Sequence, residues 1–112
     1  MQIVIEVLYY VTRNGVNVVD RWISELRDER TEARILARID RLASGNFGDH
    51  KSLGGGLFEL RIDFGPGYRI YYAMIGRARV LLLCAGQKRT QSADIHRARE
   101  HLKDYIERIH TQ

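Results

Sequence analysis

The sequence predicts a single α+β domain in which helices pack on a mainly antiparallel sheet, with the elements in the order β-αα-βββ-α. Two observations carry this prediction. Apolar residues recur at helical spacing in the first half and at the end of the chain, and they alternate with polar residues between these parts. Grouped helices and consecutive strands are typical of α+β folds. The 112 residues, 45% of them hydrophobic and 29% charged, suit one core, so the domain is expected to span residues 1–112.

The first half of the chain is predicted to form one strand and two helices. Residues 2–10 are rich in β-branched and aromatic side chains, and an Asn-Gly break follows them. Asn17 is the expected N-cap of the first helix. Thr31 is the expected N-cap of the second helix, which ends at Ser44-Gly45. The apolar residues that give these helices their buried sides are Val19, Trp22, Ile23, Leu26, Ile35, Ile39 and Leu42.

Beyond the helices, the apolar period changes from that of a helix to that of a strand. Three glycines at 54–56 are interpreted as a loop. Residues 57–64 then alternate between apolar and mostly polar side chains, which indicates a strand with one buried face. The Gly-Pro-Gly sequence at 65–67 is a turn signal, and it leads into a second strand at 68–75.

The chain is predicted to end in a third strand and a long helix. A tight Gly-Arg turn at 76–77 precedes residues 79–85, which are apolar enough to form a central strand. The last helix opens near Ser92 and carries Asp94 in its first turn, where the helix dipole favours an anion. The residues expected on its buried face are Ile95, Ala98, Leu102, Tyr105 and Ile109.

Positive charge is concentrated in one part of the chain. The formal net charge is +4, and residues 51–89 carry seven basic residues but only two acidic ones, Glu59 and Asp63. The basic residues are Lys51, Arg61, Arg69, Arg77, Arg79, Lys88 and Arg89. A localised excess of this kind suits a polyanionic partner such as a nucleic-acid backbone. Chance variation in surface charge is the alternative interpretation.

The composition also predicts where the protein resides. Cys84 is the one cysteine of the chain, so an internal disulfide is excluded and a reducing compartment is favoured. No apolar run approaches the roughly 20 residues that a membrane span requires. The opening sequence MQIVIEVLYY lacks the basic lead and cleavage site of a signal peptide. We therefore expect a cytoplasmic protein without a membrane partner.

Charged side chains are predicted to gather on one face of the sheet. With residues 65–67 as the turn, the expected cross-strand pairs are Asp63 with Arg69, Arg61 with Tyr71, and Glu59 with Ala73. A two-residue turn at 76–77 then sets Cys84 beside Arg69, with Lys88 and Arg89 just past the strand end. The group predicts a basic site. For any one residue, the alternative is an ordinary surface ion pair that contributes little.

Several other sites are not favoured by the sequence. Cys84 has apolar neighbours and is interpreted as a packed thiol instead of a nucleophile. The four histidines lack the short spacing of a zinc site, and the glycine clusters lack the ending of a P-loop, so neither metal nor nucleotide is predicted. The stripe of Arg34, Arg38 and Arg41 is interpreted as a solvated helix face, with contact to ribosomal RNA as the alternative.

Taken together, three motifs resemble a known family. They are Lys51-Ser52-Leu53-Gly54-Gly55-Gly56-Leu57-Phe58-Glu59-Leu60-Arg61-Ile62, Gly65-Pro66-Gly67-Tyr68-Arg69-Ile70-Tyr71-Tyr72, and Leu81-Leu82-Leu83-Cys84-Ala85-Gly86-Gln87-Lys88. With Asp94, Ile95 and Ala98, they make the chain similar, nearly end to end, to the addiction module killer protein branch of the RelE/ParE toxins, which is related to the HigB-like group. The resemblance implies a RelE-like fold.

The resemblance also implies an activity. Nucleases of this superfamily cut mRNA, commonly in the ribosomal A site, without a metal or cofactor. By position in the motifs, Arg61 and Arg69 would hold the phosphate, Lys88 would assist, and Glu59 would accept a proton. The residues implied in RNA binding are Lys51, Arg89, Tyr71 and Tyr68, and the two tyrosines have a place in the core as their alternative. Some relatives use a C-terminal tyrosine, where this chain offers Gln91, Asp94 and Ile95.

Partners follow from the same resemblance. A toxin of this kind is neutralised by an antitoxin, here expected to be a small helix-turn-helix protein, and the pair is expected to bind operator DNA. The mRNA and the ribosome are the expected targets. Two alternatives stay open: a ParE-like inhibitor of DNA gyrase without nuclease activity, and a degenerate member that only binds its antitoxin.

Overall fold

The computed structural model describes residues 4–111 and confirms an α+β fold. Its elements are β1 (Glu6–Tyr9), α1 (Val18–Ser24), α2 (Glu29–Ala43), β2 (His50–Gly54), β3 (Leu57–Ile62), β4 (Tyr68–Met74), β5 (Arg79–Gln87), a 3₁₀ turn (Lys88–Thr90) and α3 (Gln91–His110). Of the strand predicted at 2–10, residues 2 and 3 lie outside the described residues. Within residues 4–111, none of the helices has the length and apolar character needed to cross a membrane.

The five strands form one mixed sheet in the order β1-β5-β4-β3-β2. The last four strands are antiparallel neighbours, while β1 pairs with β5 in parallel. The prediction that the third meander strand would be central is confirmed, because β5 lies between β4 and β1. Its residues Val80–Gly86 are all buried, which agrees with a strand covered on both faces.

The two faces of the sheet are covered by different helices. One core contains Ile35 and Ile39 of α2, Val19 and Ile23 of α1, and the strand residues Leu60, Ile62, Ile70, Tyr72, Val80 and Leu82. The opposite core contains Ala98 of α3 with Leu57, Tyr71, Ala73, Leu81, Leu83 and Cys84. The sheet is therefore enclosed between the α1-α2 pair and α3.

Two local predictions were wrong. The N-cap of α2 is Asp28, whose side chain accepts from the backbone N–H of Arg30 at 3.1 Å. Thr31, the predicted cap, lies in the first turn and donates its hydroxyl to Asp28 at 3.0 Å. The second error is that β2 was not predicted: the glycines at 54–56 do form the expected loop, but this loop closes a hairpin between β2 and β3.

The predicted register was also wrong. The loop between β3 and β4 spans residues 63–67, so Arg61 lies opposite Arg69 and Glu59 lies opposite Tyr71. This shift of two residues leaves each side chain on its predicted face, because the side-chain period of a strand is two. Between β4 and β5 the turn is longer than predicted and β5 carries a bulge, so Cys84 lies opposite Tyr71 and Gly86 lies opposite Arg69.

A close contact fixes the start of α3 against β5. The Asp94 carboxylate is 1% exposed and accepts from the Thr90 hydroxyl at 2.6 Å, and it also pairs with Arg97. A Cβ atom on Gly86 would lie 1.9 Å from an Asp94 oxygen. The absence of a side chain at Gly86 therefore lets the first turn of α3 approach the sheet.

Candidate active site

Charged side chains meet where β3 and β4 approach the first turn of α3. The Glu59 carboxylate is fully buried, and its Oε1 accepts from Arg61 Nε at 2.9 Å. Arg69 Nε lies 3.8 Å from the same oxygen, and Arg69 Nη1 lies 3.9 Å from Asp63 Oδ1. Gln91, the first residue of α3, donates to Glu59 Oε2. The buried Glu59 carboxylate thus lies next to two arginines, one on β3 and one on β4.

The two arginines differ in their exposure. The side chain of Arg61 is 32% exposed, and its hydrogen bond to Glu59 raises its pKa above the ordinary value. The side chain of Arg69 is only 7% exposed, and its Nη1 donates to the Tyr68 carbonyl at 3.0 Å. Arg69 Nε has no hydrogen-bond partner within residues 4–111. Such a buried donor is unusual in a folded protein and often marks a functional position.

Lys88 lies beside this pair. Its backbone N–H donates to the Gly67 carbonyl at 2.9 Å, which ties the turn after β5 to the loop before β4. Gly67 has a φ of +82°, and a Cβ there would lie 3.4 Å from Lys88 Cβ and 3.6 Å from Arg69 Nη1. The positive φ favours glycine at this position. Both distances are ordinary van der Waals separations, and they place the exposed Lys88 and the guanidinium of Arg69 near the same residue.

Lys51 shares the same face of the sheet. It is exposed on the edge strand β2, directly opposite Glu59. Directly opposed residues in an antiparallel pair point to the same side of the sheet. The structure thus places Lys51, Glu59, Arg61, Arg69 and Lys88 in one region.

The other residues predicted to bind RNA are placed differently. Tyr71 is 0% exposed beneath α3, and burial raises its pKa. Tyr68 is 7% exposed and packs edge-on against Trp22 on the opposite face. Arg89 is exposed, but its Nε donates to Gln87 at 2.9 Å, and it lines a separate recess with Trp22 and Arg97. Tyr68 and Arg89 do not join the Glu59 cluster, whereas Tyr71 lies directly opposite Glu59 on the same face but is completely buried.

Cys84 is confirmed as a packed thiol. It is 1% exposed, its Sγ donates to the Asp94 carbonyl at 3.2 Å, and burial raises its pKa to about 12. A thiol in this state is not an activated nucleophile. Within residues 4–111, no three His, Cys, Asp or Glu side chains are grouped in a way that could hold a metal ion.

Two residues of interest were not assigned a role from the sequence. Gln91 holds Glu59, and its position at the first residue of α3 is the only signal that could have indicated this contact. Arg38, predicted to lie on a solvated helix face, is 8% exposed, so that prediction is wrong for Arg38. Helical spacing could have indicated this, because Arg38 completes the i, i+3, i+4, i+7 pattern of Ile35, Ile39 and Leu42, whereas Arg34 and Arg41 lie outside it and are exposed.

Comparison with known proteins identifies the family to which the chain belongs. The profile of the family described as Phage derived protein Gp49-like (DUF891) matches residues 21–105. An uncharacterized protein of Haemophilus influenzae is 52% identical over 80 residues, which cover 71% of this chain and 81% of that protein. The Gp49-like family is associated with toxins of toxin–antitoxin systems. The chain therefore belongs to the Gp49-like family, within the RelE/HigB-like toxin superfamily.

Proposed function

We propose that this protein is the toxin of a type II toxin–antitoxin pair and acts as a metal-independent endoribonuclease on mRNA. The observation that supports this proposal best is the convergence of Arg61, Arg69 and Lys88 around one end of the sheet. We also propose that the protein belongs to the addiction module killer, or HigB-like, branch, because it carries the motifs of that branch.

The chemistry requires positive charge at the scissile phosphate. The ribose 2′-OH gives up its proton to solvent and attacks the adjacent phosphorus, the P–O5′ bond breaks, and the 5′-oxygen takes up a proton from solvent. The products are a 2′,3′-cyclic phosphate and a 5′-OH end. Negative charge grows on the phosphoryl oxygens in the transition state, and cations held in place beforehand stabilise it. Arg61 and Lys88 would contact these oxygens from the surface. Arg69 would stabilise the same negative charge from just beneath the protein surface, because its low solvent exposure strengthens its electrostatic field.

We assign Glu59 a positioning role. The sequence predicts it as the proton acceptor, but its carboxylate is fully buried and both oxygens already accept hydrogen bonds. A carboxylate in that state holds Arg61 and Arg69 in place, and it is not exposed to a substrate hydroxyl. Lys51, on the neighbouring strand, would contact the RNA backbone beside the cleaved bond.

The partners follow from the family and from this site. We propose that the antitoxin is a small helix-turn-helix protein that blocks access to the basic end of the sheet. Operator DNA would be bound only through the toxin–antitoxin complex. Cleavage would take place on mRNA at the ribosome, in the cytoplasm.

Transcript-end mapping after induced expression tests the proposal. Wild-type protein should create new mRNA ends, and Arg69→Ala should reduce their formation by about 100- to 1000-fold, the usual cost of removing one preorganised group that stabilises transition-state charge. Arg69→Lys keeps the charge and should retain part of the activity. Arg77→Ala is the matched control, because it removes an exposed arginine from the turn that follows β4, at the other end of the strand from Arg69.

Two results would overturn the proposal. Intact transcripts together with stalled DNA gyrase complexes would identify a gyrase inhibitor. An inert protein that still binds its antitoxin would identify a member that has lost its activity. Circular dichroism of each variant establishes that a lost activity is not a lost fold.

A further inference from the structure

A second cluster of arginines lies next to the candidate active site, on the α2 side of the sheet. It surrounds a recess of about 350 Å³ between α2 and the end of β3. The charged residues that line the recess are Arg34, Arg38, Arg41, Arg61, Asp49 and Asp63. Four positive and two negative side chains leave it with an excess of positive charge.

The buried member of the cluster is held entirely by backbone carbonyls. The guanidinium of Arg38 donates to Arg61 O at 3.1 Å, and to Asp49 O and Phe47 O at 3.4 Å. Burial lowers the pKa of Arg38, and the nearby charge of Arg41 lowers it further. The Asp49 carboxylate acts in the opposite direction, but none of the ion pairs within residues 4–111 includes Arg38. Burying a cation is costly, and an anion bound nearby would offset that cost.

The sequence is adapted to this arginine. Gly48 has a φ of +58°, and a Cβ there would lie 2.4 Å from Arg38 Nη1. The positive φ favours glycine here, and a Cβ would force the end of the Arg38 side chain to shift, so glycine lets the loop between α2 and β2 lie against the guanidinium. Arg38 is thus held by the backbone, and its position does not depend on surface ion pairs.

The two exposed arginines are also unneutralised. Among the ion pairs within residues 4–111, none involves Arg34 or Arg41. The guanidinium of Arg34 lies 4.1 Å from the centre of the Phe64 ring, which orients it without using its charge. Cations in a concave, partly apolar recess concentrate the field that attracts an anion.

The recess is continuous with the candidate active site. The carbonyl of Arg61 accepts from Arg38, while the guanidinium of Arg61 pairs with Glu59. Asp63 lines the recess, and its carboxylate lies 3.9 Å from Arg69. An RNA strand whose scissile phosphate lies at Arg61 and Lys88 would thus bring a neighbouring phosphate to the recess.

From this arrangement we infer that the recess is a second phosphate subsite, which binds the backbone of the RNA strand that the active site cleaves. This inference rests on the proposed function for the identity of the strand. Arg34 and Arg41 contact the phosphate, and Arg38 supplies buried positive charge behind them. The shared chemistry is an RNA phosphodiester, which either mRNA or ribosomal RNA can supply.

Salt-dependent binding of a short, single-stranded 2′-O-methyl RNA tests this inference, because the blocked 2′-OH prevents cleavage during the measurement. The variant is R34Q/R41Q, which leaves Arg38 and the fold's backbone contacts in place. We expect affinity at low salt to fall about tenfold or more. The slope of log K against log salt should become shallower by about 0.7 for each phosphate contact that is lost. Arg77→Gln is the control for a general loss of charge.

The outcomes separate the subsite from the nuclease activity. If R34Q/R41Q and Arg77→Gln bind the oligonucleotide and 70S ribosomes alike, the subsite is refuted, even if Arg69-dependent cleavage of unmodified RNA is observed. If the slope of log K against log salt is shallower in the double variant than in the control, the subsite stands, even if the wild-type protein fails to cleave RNA. If the loss appears only in sedimentation with ribosomes, the recess binds a phosphate of ribosomal RNA, and the inference that it binds the cleaved strand is overturned.

Discussion

The two faces of the sheet differ in what they bury. Beneath α1 and α2, the strand residues of the core are aliphatic or aromatic, and Arg38 of α2 is buried at the margin of this core. Beneath α3, an apolar core around Leu83 and Ala98 gives way to the buried carboxylate of Glu59 and the nearly buried Arg69. Burying charges stabilises a fold less than packing apolar groups of similar size. We therefore expect the first face to contribute more of the stability and the charged end of the second face to contribute less.

The largest expected effect on stability lies on the α1-α2 face. Leu60 is fully buried there, and Leu60→Ala should lower the free energy of unfolding by about 2–5 kcal/mol, because it removes apolar contacts and leaves a cavity. Urea denaturation measures this change. Leu36→Ala is the matched control, since Leu36 is 40% exposed on α2 and its truncation should change stability by less than about 0.5 kcal/mol.

The same variant tests whether the two faces are separable. The specific activity of Leu60→Ala, corrected for its folded fraction, should equal that of the wild-type protein. A folded Leu60→Ala protein with a strongly reduced rate of RNA cleavage would show that packing on one face controls the geometry of the other.

A smaller effect on stability is expected at the charged end of the α3 face. Glu59→Gln preserves the shape of the side chain but removes the buried anion that Arg61 and Arg69 share, and we expect it to cost about 1–3 kcal/mol of stability. The rate of RNA cleavage should fall through kcat more than through KM, because the arginines lose their positions for the transition state. Denaturation and single-turnover cleavage measure the two effects.

An exposed carboxylate provides the control for Glu59. Asp63 is 78% exposed and lies 3.9 Å from the same arginine, so Asp63→Asn should change stability by less than about 0.5 kcal/mol. Equal losses of stability in Glu59→Gln and Asp63→Asn would mean that the net charge at this end of the sheet determines stability. The buried position of Glu59 would then have no effect of its own.

Much of the site could be predicted because strand periodicity fixes faces. Glu59, Arg61 and Arg69 were placed on one side of the sheet, and the two-residue register error did not change that. The register itself could not be predicted. The predicted register was derived from a three-residue turn at 65–67, which set Asp63 opposite Arg69, whereas the loop spans residues 63–67. The structure has Arg61 opposite Arg69, because the buried Glu59 carboxylate offsets both charges.

Other features depended on tertiary packing that the sequence does not encode locally. β2 comprises His50–Gly54 and is largely exposed at the edge of the sheet. It therefore lacks the alternation of apolar and polar residues by which β3 was predicted. Asp28 and Thr31 are both good N-cap residues, and only the burial of Thr31 distinguishes them. Likewise, Tyr71 is buried because α3 covers its part of the sheet, a placement that helical periodicity alone does not give.

The smallest expected effect concerns His101, at the far end of the α3 face. Burial lowers its pKa below 6.5, the charge of Arg97 lowers it further, and Asp104 and Glu100 act in the opposite direction. Its ring stacks on Tyr10 at 4.5 Å. Because the unfolded chain binds this proton more readily than the folded protein, the free energy of unfolding should decrease as pH falls from 6.5 towards the lowered pKa of the folded protein.

The measurement is denaturation of the wild-type protein and of His101→Gln across this pH interval. The variant should lose part of the pH dependence, and RNA cleavage at neutral pH should not change, because His101 lies outside the Glu59 cluster. His110→Gln is the control, as His110 is exposed in the last turn of α3. An identical pH dependence in His101→Gln and wild type would assign the effect to other groups. The special role of charged groups on this face would then be confined to the end of the sheet that carries Glu59.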